Sequence, residues 1–283
     1  MLSLRSLALV LVPAAPLTAQ QPISVYISAD MEGVAAISAT DDPLGRRLMT
    51  AEVNAAIAGA FDAGATRVVV NDAHGGHNNL IQTDLDPRVT FLRGDLKPYG
   101  MMQGLDSTFT AVLFVGYHGK ARSRGGFLAH TGSGRTADLR VNGTSIGEGG
   151  MNALYAAWYG VPVVFISGDS LAVSQLEALV PDVGSAVVKT GIWNRAVRSL
   201  TPDSARAAIR RGVTAALGRA PSVQPVAAPP FRVELSYTDA LYADIAEGIP
   251  SVDRVDATTV GFTVDEYPAA YRMIRVLYKH LTQ

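Results

Sequence analysis

Cysteine is absent from the chain, which excludes disulfides, thiol catalysis and lipid attachment through a cysteine. Any metal bound here must be held by His, Asp and Glu. A charge excess is lacking as well. With 24 basic against 25 acidic side chains, no field of one sign points to nucleic acid or an anionic membrane. Long apolar runs are also missing. The run at 7–12 is far shorter than the roughly 20 residues of a spanning helix, so no stable membrane insertion is expected. Histidine is scarce, with five in all, so the positions of those few are informative.

What is present begins with Arg5, the apolar run 7–12 and the small residues 14–19. This is the layout of a secretory signal peptide, with cleavage expected near Ala19 and a periplasmic or extracellular destination. The remaining length suits one large α/β domain or a main domain with a small second one. The expected division is a signal at 1–19, a metal-binding catalytic α/β domain at 20–220 and a smaller α/β portion at 221–283 that is too short to count as independent.

Short β-rich runs at 23–29, 67–72, 89–93, 111–117 and 161–167 alternate with helical patterns. Leu48, Val53, Ala56, Ile57, Ala60 and Phe61 recur at helical spacing before Gly64; Met151, Leu154, Tyr155 and Trp158 do so before Gly160 and Pro162. A further helix is predicted over 204–217, followed by a proline-rich linker or crossover at 220–230. Strand, helix, strand and helix complete the chain. The rhythm predicts a three-layer α/β fold, a largely parallel sheet with helices on both faces, plus the smaller C-terminal α/β portion.

Asp30 and Glu32 follow the first strand, His74 the second and His118 the fourth. Residues just past the carboxyl ends of parallel strands converge on one crevice. Asp30 and Glu32, two apart, face the same side in extended backbone, and two adjacent carboxylates repel unless a cation lies between them. Each piece alone has an ordinary reading: a solvated turn for Asp30 and Glu32, a loop histidine for His74 or His118, a helix-dipole partner for Glu148. Only the joint pattern points to a metal.

The segments Ser28-Ala29-Asp30-Met31-Glu32-Gly33, Asn71-Asp72-Ala73-His74, Gly116-Tyr117-His118 and Gly147-Glu148-Gly149-Gly150-Met151-Asn152 resemble, in order and spacing, the DppA-type D-aminopeptidase family of zinc metallopeptidases. The resemblance runs over nearly the whole mature chain. It implies two zinc ions bound by Asp30, Glu32, His74, His118 and Glu148, with Asp30 bridging, Glu32 and His118 on one ion, and His74 and Glu148 on the other. It implies His130 as a catalytic residue, stabilising an oxyanion or giving a proton to the leaving amine. It further implies release of N-terminal D-amino acids from short peptides, and a homo-oligomeric ring.

Lesser expectations concern four more residues. Asp72 would orient a ligand histidine, Lys97 would meet a substrate carboxylate, His77 would be a loop or supporting residue, and His280 would lie on the surface near a helix end. Two rival readings use the same residues. One is another two-metal hydrolase, an amidase or phosphoesterase; the other is a non-catalytic periplasmic metal-binding protein with a closed coordination shell.

Overall fold

Apolar residues fill Ile23–Ala29 (β1) and Ala111–Tyr117 (β4) so completely that nearly every position is buried, as befits parallel strands covered on both faces. The computed structural model describes residues 22–219 and 227–282; the expected signal at 1–19 and most of the proline-rich stretch lie outside them. Ala65–Asp72 (β2), Thr90–Leu92 (β3), Val163–Asp169 (β7), Gly184–Trp193 (β8) and Ala196–Ser199 (β9) complete a sheet of order β3-β2-β1-β4-β7-β8-β9. All pairs are parallel except the hairpin of β8 and β9. The fifth predicted strand starts two residues late. Pro162 has no N–H to give the ladder.

Gly45–Asp62 (α1) and Pro202–Leu217 (α4) cover one face of the sheet. At Gly59 a Cβ would lie 2.6 Å from the Arg210 carbonyl oxygen, so this glycine permits the close approach of the two helices. Glu148–Trp158 (α2) and Ser170–Glu177 (α3) cover the other face. A second sheet packs there too. It joins Thr136–Val141 (β5) and Thr144–Ser145 (β6) to Phe231–Tyr237 (β10), Asp253–Arg254 (β11) and Thr259–Val264 (β12) in the order β11-β12-β10-β5-β6. Ala240–Ala246 (α5) and Tyr267–Arg275 (α6) flank it.

The portion 221–283 therefore does not close on itself: β10 pairs antiparallel with β5 from the middle of the chain. Among the described residues, no helix is long and apolar enough to cross a membrane. The chain leaves β1 towards β2 and β3 on one side and places β4, β7 and β8 on the other. The resulting switch point lies between β1 and β4, where such sheets open a crevice at their carboxyl ends.

Candidate metal centre

Strand order decides which side chains meet. Asp30 and Glu32 leave the end of β1, the central strand of the trio β2-β1-β4; His74 follows β2 on one side and His118 follows β4 on the other. Glu148 opens α2, where the helix N-terminus favours a carboxylate, and Gly132 N–H donates to its Oε1 at 2.6 Å. His130 comes from the loop between β4 and β5.

The turn after β1 is drawn tightly against β4. Asp30 N–H donates to Val115 O and Gly33 N–H to Gly116 O, both at 2.8 Å. A Cβ at Gly33 would fall 1.9 Å from Tyr117 O, as would one at Gly168 of β7. Two bare backbones thus clasp the residue before His118.

All six side chains converge. His74 Nδ1 is 3.2 Å from Asp30 Oδ1 and 2.9 Å from Glu32 Oε2. His118 Nε2 is 3.4 Å from both Asp30 Oδ2 and Glu148 Oε2. His118 Nδ1 lies 2.9 Å from Gly119 O; a carbonyl only accepts, so Nδ1 carries a proton and Nε2 is the ring atom turned to the carboxylates. His130 stacks on His118 with ring centroids 4.2 Å apart. Its Nδ1 likewise donates to Leu128 O at 2.8 Å, turning Nε2 towards Glu148 Oε1 at 3.7 Å and Glu32 Oε1 at 4.0 Å.

Asp30 Oδ2 and His118 Nε2 are buried without a hydrogen-bond partner. Such orphaned polar atoms are costly to bury unless a partner joins them. The donor set therefore fits a cation. Asp30–Glu32–His74 and Asp30–His118–Glu148 each bring three ligand atoms close enough for one ion; Glu32–His118–His130 forms a third such group. This grouping differs from the pairing implied by the resemblance. His74 and Glu148 stand on opposite sides of Asp30 because β2 and β4 flank β1, so His74 keeps company with Glu32, and Glu148 with His118.

Electrostatics report the same crowding. Burial and then the neighbouring Glu32 push Asp30 up to about 6. Burial alone would depress His74, yet the Glu32 and Asp30 carboxylates outweigh it and raise the imidazole to about 11. Burial opposes ionisation of Glu148 too, but His118 and His130 overcome it and bring the group to about 2.

Comparison with known proteins agrees with this geometry. Residues 23–276 match the Peptidase M55 family profile, D-aminopeptidase. The chain belongs to the M55 peptidase family. A D-aminopeptidase of Bacillus subtilis (strain 168) is 36% identical to this M55 peptidase over 268 residues, 90% of this chain and 96% of the relative. A solved structure, the Zn-dependent D-aminopeptidase DppA from Bacillus subtilis, a self-compartmentalizing protease, superposes with TM-score 0.89 at 32% identity, covering 92% of this chain and 98% of that one.

The surroundings of the M55 cluster differ from expectation at Asp72 and Lys97. Asp72 does not touch the His74 ring: it accepts from Asn79 N and Nδ2 and from Leu80 N, while Asn79 Nδ2 donates to His74 O at 2.6 Å. It orders the loop carrying His74. Lys97 turns its Nζ onto Asn71 Oδ1 and Asp72 O at 2.5 and 2.7 Å, so its charge is spent on the end of β2. His77 is 1% exposed and lines the same cavity as the cluster. His280 is exposed beyond α6, as expected.

Sequence reasoning missed the supports that act over long chain distances. Lys189 of β8, buried, donates to Glu32 O at 2.6 Å and Ile37 O at 3.0 Å, anchoring the loop that carries Glu32. Asp169 caps α3 and accepts from Gly119 N, next to His118. A buried chain of hydrogen bonds runs from Tyr271 of α6 to Asn152 of α2, Tyr117 of β4, Ser28 of β1 and Met101 O. The sequence signal for it is that Ser28, Tyr117 and Asn152 lie inside the motifs.

Proposed function

We propose that this M55 peptidase releases N-terminal D-amino acids from short peptides or amides, using two zinc ions. Asp30, Glu32 and His74 would hold one, and Asp30, His118 and Glu148 the other. The observation that carries this reading is the pair of three-residue groups sharing the buried Asp30. Three carboxylates outnumber the charge of one divalent cation, which favours two. Zinc bound there supplies Lewis acidity towards the scissile carbonyl and an activated water.

The chain's own residues do the rest. His130 turns its Nε2 towards the cluster, where an imidazole can deliver a proton to the leaving nitrogen. Leu128 O holds the ring in that orientation. The cavity, of about 400 Å³, limits the substrate to a small molecule. Homo-oligomerisation is part of the proposal, supported by the self-compartmentalizing relative and by the exposed Ile192 and Trp193 at the end of β8. Export to the periplasm or beyond rests on residues 1–19 alone.

The test is one preparation assayed for bound zinc and for release from D-Ala and L-Ala p-nitroanilides, with and without chelator. About two zincs per chain, and release from the D substrate that chelator abolishes and zinc restores, are expected. Two zincs without release from either would move the protein to another class of two-metal hydrolase. No zinc uptake would refute the metal centre itself.

A further inference from the structure

The cavity holding the carboxylate–histidine cluster has a second, cationic side, formed by the end of α6 and the turn after it. Arg275, Tyr278, Lys279 and Thr282 line it there. The turn Val276–His280 is wider than an α-helical one, with Leu281 N–H donating to Val276 O at 2.9 Å. Widened turns of this kind recur at functional sites. Here the widening follows directly on Arg275.

Arg275 is only 2% exposed. Its Nη2 is buried with no hydrogen-bond partner, and among the described residues no carboxylate lies within ion-pairing distance of it. The fold makes room for this group: a Cβ at Gly100 would fall 1.5 Å from Nη1. His77 Nδ1, on the same cavity, is a second buried polar atom without a hydrogen bond, 3.9 Å from Asp95 Oδ1. Lys279 adds positive charge, with its Nζ 2.5 Å from Gly75 O and 3.4 Å from Asp95 Oδ1. A buried guanidinium without a counter-ion is costly to keep. A planar fork of N–H donors is the natural receptor for a carboxylate.

We propose that Arg275, assisted by His77 and Lys279, binds the free C-terminal carboxylate of a short peptide. The inference rests on the aminopeptidase reading above. One cavity then receives both ends of the substrate, the N-terminal residue at the acidic cluster and the C-terminal carboxylate at Arg275. Both ends must fit together, so the site measures peptide length and selects zwitterionic peptides of a few residues over longer chains and over amides.

The test compares D-Ala-D-Ala with D-alanyl-D-alanine amide on the zinc-loaded full chain. A buried, charge-assisted hydrogen bond corresponds to roughly ten- to a hundredfold, so the wild-type enzyme should prefer the free acid by at least about tenfold in kcat/KM. In Arg275→Gln that preference should collapse towards one, chiefly through KM for the acid; Arg275→Lys should restore part of it. Wild-type activity on both substrates at equal kcat/KM would overturn the carboxylate site while leaving the aminopeptidase reading intact, and this comparison needs no variant to fold. An unchanged acid-to-amide ratio in a folded Arg275→Gln would overturn it as well. Wild-type inactivity on both would sink the aminopeptidase reading and this inference with it.

Discussion

His74 lies beside the two carboxylates that follow β1 and is raised from 6.5 to about 11 in the metal-free chain, while His118 is raised by Glu148 and its neighbours against burial. In the window between those two values the folded state binds more protons than the unfolded one, so stability falls as pH rises. The contribution is complete below about 6.5 and is lost as pH climbs towards 11. Zinc requires neutral imidazoles and replaces these protons. The melting temperature in chelator should therefore drop from pH 6.5 to 9, and the gain on adding zinc should widen over the same range. A chelator curve flat across that range would contradict the protonation assigned to His74.

Five of the six clustered residues were legible at this scale for one reason: each lies in a short motif at the end of a strand or the start of a helix. His130 was legible only by resemblance, because its loop has no regular pattern. Arg275 was not legible at all. In an amphipathic C-terminal helix an arginine reads as a solvated residue, and only packing against Gly100 reveals that it is buried. Lys97 was the reverse case, a lysine in a motif whose charge turned out to be engaged by Asn71 and Asp72.

Among the elements, β1 and β4 set the spacing of the site, and Gly33 sets how closely the turn after β1 approaches β4. Gly33→Ala would drive a methyl group into Tyr117 O. Overpacking of this kind costs roughly 1–3 kcal/mol, or about 2–10 °C in melting temperature for a chain of this size. Zinc occupancy should fall with it, because the displaced backbone carries His118. Thermal melts and zinc content measured on the same sample would show both effects; a variant with wild-type values for each would mean that the loop relaxes freely. Periodicity located α1, α2 and α4 and the buried strands. It could not reveal that β5 and β6 leave the main sheet, because pairing partners far apart in sequence leave no local pattern.

For the whole molecule, the exposed side chains at the end of β8 stand out, with Trp193 at 75% and Ile192 at 57% exposure. Large apolar groups presented together on an edge hairpin are expected at an interface between copies. Light scattering coupled to size exclusion should find an assembly well above the 29.8 kDa of one chain, and Trp193→Asp should shift it to smaller species. A monomer in the unmodified protein would exclude the ring. The parallel α/β organisation was legible at this scale because its rhythm is written along the chain. The route by which the last residues return to the metal centre was not.

That return has a consequence for the order in which the molecule can be assembled. The residues of the metal cluster all precede β10, whereas β5 must find a partner about 90 residues later, as the bond between Arg232 and Asn142 illustrates. On a growing chain, the groups that would capture zinc emerge first, and Arg275 emerges last. In every newly made copy the residues of the acidic half of the cavity are therefore joined to the chain before Arg275 and Lys279.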